Sequence, residues 1–156
     1  MDENLLRRVS ASWTKSSLES IGLMLQGNPK VVITAHRSPD GDAVGSTLGL
    51  YHVLKAMGVD VVVALPDRFA SFLDWMPGVQ SIVFHSEKPE IVEKHLAQAN
   101  VLFCLDFNSS DRAGSLADCI RQTDAKLVMI DHHRDPDAFA DLMVSDPSCG
   151  STCELI

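Results

Sequence analysis

The sequence predicts an α/β fold with a doubly wound, mainly parallel sheet of five to six strands and helices on both faces. Short, β-branched, uninterrupted apolar segments alternate with amphipathic helical segments along the chain. The chain has 156 residues, which is the size of one domain. Hydrophobic residues make up 46% and charged residues 22%, as in an ordinary globular protein. Residues 1–156 are therefore expected to form a single domain.

The individual elements follow from local periodicity and from punctuation by glycine and proline. A first helix is predicted from about residue 14 to 26, because its apolar residues share one face. A second helix is predicted to begin with Asp42 as its cap and to end at Gly58. The other predicted elements are strands over residues 30–35, 59–64, 81–84, 101–106, 126–131 and 141–145, and helices over 87–99 and 115–121.

The charge balance and the cysteines exclude several classes of protein. Lysine and arginine number 13 against 21 acidic residues, a net charge of −8, whereas proteins that coat long duplex nucleic acid are basic. No apolar segment approaches the ~20 residues of a membrane span, and the acidic Met1 to Glu3 is not the start of a signal peptide. The four cysteines lack zinc-finger spacing. We therefore expect a cytoplasmic protein with reduced thiols and no membrane partner.

Acids and imidazoles stand at or just past the ends of three of the predicted strands. They are His36, Asp40, Asp42, Asp106, Asp131, His132 and His133. Right-handed crossovers bring the carboxyl ends of parallel strands to one edge, where ligands bind. Carboxylate and imidazole ligands without cysteine favour Mn²⁺ or Mg²⁺, with Fe or Co as further options, over a structural zinc.

This arrangement could serve two ions. Asp40 and Asp42 flank Gly41 in a tight turn, so their side chains can diverge toward different ions. A single carboxylate such as Asp106 can bridge two ions about 3.5–4 Å apart. Each residue by itself is typical of a turn, a helix cap or a strand end. Their joint placement at three strand ends favours a metal centre.

Three motifs in this order resemble those of the DHH phosphoesterases, from about residue 30 to 154. They are His36-x-x-x-Asp40-Gly41-Asp42-Ala43-x-Gly45-Ser46, Leu105-Asp106 and Ile130-Asp131-His132-His133. Within that superfamily the chain is most similar to the nanoRNases and pAp phosphatases. These degrade very short oligoribonucleotides and dephosphorylate 3′-phosphoadenosine 5′-phosphate (pAp). The resemblance implies a phosphoesterase with two Mn²⁺ ions, or Mg²⁺ or Co²⁺ in their place, acting on short RNA or pAp.

The resemblance also implies metal-binding roles for five residues. His36 and Asp40 would hold one ion, Asp42 and His132 would hold the second, and Asp106 would bridge the two. The water activated by such a pair would attack the phosphorus.

Three further residues receive implied roles outside the metal ligands. His133 would contact the substrate phosphate, and Asp131 would orient the histidines from behind. Arg112 resembles an arginine of relatives at the same place and is a candidate substrate-binding residue whose role stays open. Ser38 departs from the family, which usually has Asn two residues after the first histidine.

The end of the sequence carries a separate expectation. Ser151-x-x-Glu154 has capping-box spacing, and the two residues after it would only begin a helix. The family also has a fourth acidic motif and a C-terminal substrate-binding domain, both expected beyond residue 156. We therefore expect this chain to be the front part of a longer protein, and the 156-residue form to be catalytically silent.

Other functions remain open at this point. One is a DHH phosphohydrolase with another substrate, such as a pyrophosphatase, an exopolyphosphatase or a cyclic-dinucleotide phosphodiesterase. Another is a non-catalytic nucleotide-binding module. A Rossmann dehydrogenase and a P-loop protein are disfavoured, because neither glycine motif is present. The oligomeric state is also open, with a homodimer as one option.

Overall fold

The computed structural model describes residues 13–156, so the predicted acidic start of the chain, residues 1–3, lies outside them. The strands are β1 (Lys30–Ala35), β2 (Asp60–Leu65), β3 (Val83–Phe84), β4 (Val101–Leu105), β5 (Lys126–Asp131) and β6 (Leu142–Ser145). They form one sheet in the order β3-β2-β1-β4-β5-β6, and every ladder is parallel. The predicted doubly wound parallel sheet is confirmed.

Helices cover both faces of this sheet. They are α1 (Lys15–Met24), α2 (Gly41–Ala56), α3 (Pro89–Gln98), α4 (Ala117–Gln122) and α5 (Thr152–Leu155). Helices α1, α2 and α5 pack on the face that carries Ile33 and Phe103. Helices α3 and α4 pack on the face that carries Val32 and Leu102. Since both faces are buried, the central strands are almost continuously apolar.

The strand order places a switch point between β1 and β4. The chain leaves β1 toward β2 and β3 on one side, and then returns to add β4, β5 and β6 on the other. The loops that follow β1 and β4 therefore leave in opposite directions and open a crevice between them at the carboxyl edge of the sheet. Ligands of open parallel sheets bind in such a crevice.

Two predicted elements differ from the structure in their bounds. The strand predicted over 81–84 is only two residues long, because a 3₁₀ turn occupies Val79–Ser81. The helix predicted over 115–121 is present as α4, which begins two residues later, and an unpredicted 3₁₀ segment, Ser110–Leu116, precedes it. Gly114 interrupts that segment with φ 58° and ψ −121°, a conformation that glycine adopts readily. Among residues 13–156, no helix is long and apolar enough to cross a membrane.

Candidate metal centre

His36 is the first residue after β1, and its side chain is almost fully buried. Its Nδ1 lies 2.7 Å from the carbonyl oxygen of Arg37, so Nδ1 carries the donated proton and Nε2 keeps a lone pair. Nε2 lies 3.4 Å from Oδ2 of Asp106 and 3.8 Å from Oδ1 of Asp40. The Asp106 carboxylate raises the pKa of His36 above its ordinary value, against the opposing effect of burial.

Asp40, and not the predicted Asp42, is the N-cap of α2. Its Oδ1 accepts hydrogen bonds from the backbone N–H groups of Asp42 at 2.9 Å and Ala43 at 3.1 Å. Asp40 has extended backbone angles, as a cap requires, whereas Asp42 is already helical. The prediction was wrong because both acids suit a cap by type. The cap fixes the carboxylate of Asp40 beside His36.

Asp106 is 1% exposed and follows β4 with φ +64°, in the left-handed region. An L-residue there costs about 1–2 kcal/mol, although aspartate tolerates the region better than most residues. Its Oδ2 faces His36, while its Oδ1 lies 3.7 Å from Nε2 of His132. The hydroxyl of Thr152 also donates to Oδ1 over 2.8 Å. The two oxygens of one buried carboxylate thus face histidines from different strand ends.

Asp42 and His132 meet on the other side of Asp106. Oδ2 of Asp42 lies 3.5 Å from Nε2 of His132, whose Nδ1 lies 3.3 Å from the carbonyl oxygen of Cys149. The carboxylate of Asp42 accepts backbone hydrogen bonds from Thr152 at 2.7 Å and Cys153 at 2.8 Å. Burial alone would raise the pKa of Asp42, but hydrogen bonds from Cys153 and Thr152 hold it below its ordinary value.

Asp131 is fully buried at the end of β5 and binds His133 twice. Its Oδ1 lies 2.7 Å from Nδ1 of His133, and its Oδ2 accepts the backbone N–H of His133 over 3.0 Å. We expected Asp131 to orient both histidines. In the structure its side-chain hydrogen bonds go to His133, while the backbone of Cys149 faces His132.

Arg112 joins the loops after β1 and β4 through its backbone. Its carbonyl oxygen accepts the N–H of Arg37 over 2.7 Å. A Cβ at Gly114 would lie 2.9 Å from Cβ of Arg37, so glycine permits this close approach of the two loops. The guanidinium group of Arg112 has no hydrogen bond or ion pair among residues 13–156. Its role in substrate binding stays a prediction.

The donor atoms fit divalent cations. His36, Asp40 and Asp106 offer ligand atoms within 4.8 Å of one another, and so do Asp106, His132 and His133. An octahedral ion with ligands at about 2.1 Å places neighbouring ligands about 3 Å apart and opposite ligands about 4.2 Å apart. The contacts of 3.4–3.8 Å lie between these values. Imidazole lone pairs that face carboxylates at this distance repel them unless a cation or a proton lies between.

The second group of donor atoms does not consist of the residues expected to hold the second ion. It contains His133, which the resemblance placed at the substrate, and Asp42 adjoins it through the 3.5 Å contact with His132. The sequence also gave no indication of Thr152 and Cys149, which contact the donors. The capping-box spacing located α5, where Ser151 accepts from the N–H of Glu154, but it carried no information about what α5 contacts.

Comparison with known proteins agrees with the motifs. The model of the DHH family, N-terminal domain, matches residues 30–156. The chain belongs to the DHH family. This DHH chain is 34% identical over 145 residues to the Thermus thermophilus bifunctional oligoribonuclease and PAP phosphatase NrnA. The aligned region covers 92% of this chain and 40% of that protein. It thus spans less than half the length of that relative.

The DHH chain is also similar to two proteins with other names. It is 25% identical over 122 residues to a probable manganese-dependent inorganic pyrophosphatase of Enterococcus faecalis. The aligned region covers 76% of this chain and 34% of that protein. The crystal structure of an exopolyphosphatase-related protein from Bacteroides fragilis superposes with a TM-score of 0.89 at 37% identity. That match covers 91% of this chain and 42% of the other.

Proposed function

We propose that the protein is a metal-dependent phosphoesterase that hydrolyses short oligoribonucleotides, pAp or both, with Mn²⁺ as its metal. The observation that carries the proposal is the buried carboxylate of Asp106, whose two oxygens face His36 and His132 from the middle of two donor sets. The Thermus thermophilus relative, named for both activities, supports the choice of substrates.

Five residues would hold the ions. His36, Asp40 and Oδ2 of Asp106 would bind the first, and Asp42, His132 and Oδ1 of Asp106 the second. Bound in this way, a pair of divalent ions supplies a lowered pKa for a shared water and positive charge opposite the phosphate oxygens. Oxygen and imidazole donors without a thiolate favour Mn²⁺ among such ions, and the name of the Enterococcus faecalis relative includes manganese.

His133 would act on the substrate itself. The carboxylate of Asp131 accepts a hydrogen bond from Nδ1–H of His133, which leaves Nε2 available to a substrate, and the ring of His133 is partly exposed. In the protonated state, Nε2–H can donate to a phosphate oxygen or to the leaving group, and buried Asp131 stabilises that positive charge. Arg112 would add a second positive contact, since it follows Asp106 at the same edge of the sheet.

A pyrophosphatase is the second candidate. The Enterococcus faecalis relative carries that name, and it shares most of this chain at lower identity than the Thermus thermophilus relative. Both activities would use the same donors, because each displaces an oxygen from phosphorus. The two activities differ in the group that leaves the phosphorus, which is a nucleoside or nucleotide in one case and a phosphate in the other.

The test is hydrolysis by the full-length protein after EDTA treatment and reconstitution with Mn²⁺. Release of phosphate from pAp and of mononucleotides from a two-nucleotide RNA is compared with hydrolysis of inorganic pyrophosphate. We expect turnover of pAp or RNA that depends on Mn²⁺. Turnover of pyrophosphate alone would favour the second candidate, and no turnover of any substrate would favour a nucleotide-binding module.

A matched pair of variants separates the site from general effects of charge. Asp106→Asn replaces one carboxylate oxygen with an amide NH₂ group and removes the negative charge, so the side chain can no longer serve both ions. Asp124→Asn changes an exposed aspartate two residues before β5, at the opposite edge of the sheet. Only the first should abolish turnover. Equal activity of the two variants would contradict the proposed site.

A further inference from the structure

Thr152 contacts the metal centre from a segment that supplies none of the proposed ligands. It is the first residue of the short helix α5, 46 positions from Asp106 in sequence, and it is fully buried. Its hydroxyl donates to Oδ1 of Asp106 over 2.8 Å. Its backbone N–H donates to Oδ2 of Asp42 over 2.7 Å. One residue therefore fixes the carboxylate of Asp42, in the first turn of α2, and that of Asp106, in the loop after β4.

The two oxygens that Thr152 binds are those that face His132. Oδ2 of Asp42 lies 3.5 Å, and Oδ1 of Asp106 lies 3.7 Å, from Nε2 of His132. A carboxylate oxygen has two acceptor sites, so each of these oxygens keeps one site for a cation after accepting a hydrogen bond. The oxygens that face His36 belong to Asp40 and to the other side of Asp106, and Thr152 does not contact them.

We propose that Thr152 is a positioning residue for the second ion. It orients Asp42 and Asp106 toward His132, and its contribution to the first ion is small. The proposal rests on the two-ion site of the proposed function. Hydrogen-bond partners behind metal ligands fix ligand orientation, and their loss typically weakens metal affinity by about 10–100-fold.

The hydroxyl can be removed without changing the shape of the side chain. Thr152→Val keeps the backbone N–H to Asp42 and the volume, but loses the donor to Asp106. Thr152→Ser keeps the hydroxyl and loses a methyl group. Thr152→Ala also removes the hydroxyl, and serves if the valine variant does not fold.

The measurement is calorimetric titration of the full-length protein with Mn²⁺, extended to millimolar concentration so that a weak second ion registers. We expect Thr152→Val and Thr152→Ala to weaken the second ion by about 10–100-fold, and Thr152→Ser to bind it within about threefold of the unaltered protein. The affinity for the first ion should be unchanged in all three variants.

Several outcomes would overturn the proposal. Equal losses of affinity in the valine and serine variants would indicate an effect of packing and not of the hydroxyl. Equal weakening of both ions, or no weakening in any variant, would also contradict it. So would a single bound ion in the unaltered protein. Two bound ions without hydrolysis of any phosphoester would refute the proposed function only. The role of Thr152 would then still be decided by the affinities.

Discussion

The backbone N–H of Ser38 donates to Oδ2 of Asp67 over 3.1 Å, which ties the loop after β1 to the loop after β2. Ser38 holds φ +50°, in the left-handed region that asparagine occupies more readily than serine. The DHH proteins that the sequence resembles usually have Asn at this position. The structure thus gives a physical reason for that preference, since the backbone must turn back here between His36 and Asp40.

Ser38→Asn should stabilise the protein. We expect the free energy of unfolding to rise by a part of the about 1–2 kcal/mol that the left-handed backbone costs an L-residue, because asparagine adopts it at lower cost. Urea denaturation measures the change. Ser38→Ala is the control and should lower stability, since alanine at positive φ is strained. An asparagine variant no more stable than the alanine variant would contradict this explanation.

Asp106→Asn should damage both ion sites, whereas Asp42→Asn should damage mainly the second. Asparagine suits the left-handed backbone of Asp106, while alanine there would add strain and confuse the result. Loss of a hydrogen-bond partner behind a metal ligand typically costs about 10–100-fold. We expect turnover by Asp106→Asn to fall by more than that, because Asp106 is itself a proposed ligand. The number of bound Mn²⁺ ions, measured beside turnover, should fall from two toward zero in Asp106→Asn and from two toward one in Asp42→Asn. Near-full activity of Asp106→Asn would rule out its bridging role.

Asp131→Asn should reduce turnover without releasing an ion. An amide N–H can donate to Nδ1 of His133, which places the proton of the neutral ring on Nε2 and removes the negative charge that stabilises the protonated ring. Removing a group that supports proton transfer typically costs about 10²–10⁴-fold in rate. Turnover and Mn²⁺ stoichiometry are measured on the same sample. If an ion is lost, His133 is a metal ligand and not a substrate contact.

The cysteines should not take part in metal binding. Cys104 is fully buried in β4, where burial raises the pKa of its thiol, and neither donor set among residues 13–156 includes a cysteine. Burial and the Asp42 contact raise the pKa of Cys153 to about 12. We expect Cys104→Ser and Cys149→Ser to keep full Mn²⁺ stoichiometry, as measured by calorimetry. Loss of an ion in a folded variant would implicate a thiolate.

The choice of metal follows from the same donors. Activity removed by EDTA should return with Mn²⁺ and return poorly with Zn²⁺, because the oxygen-rich set lacks the thiolates that select zinc. Hydrolysis of pAp at matched concentrations of the two ions provides the measurement. Restoration by Zn²⁺ and not by Mn²⁺ would contradict the assignment.

Local sequence determined the sheet and the edge that carries the chemistry. Strands β1 and β5 have the predicted bounds, because each is an uninterrupted apolar segment that ends abruptly at polar residues. The rule that crossovers are right-handed then places His36, Asp106 and His132 at one edge of the sheet. Elements with weak local signals, such as β3 and the 3₁₀ segment before α4, were predicted less well, since neighbouring structure decides their form.

Only the tertiary structure decided how the side chains pair. The sequence predicted Asp42 as the cap of α2, whereas Asp40 caps it and the carboxylate of Asp42 accepts the backbone N–H of Thr152 in α5, 110 residues away. The contact between Thr152 and Asp106 had no signature in the sequence either. Periodicity and turn chemistry act over a few residues, whereas these hydrogen bonds depend on which helix packs over which strand end. That packing exists only once the whole sheet has formed.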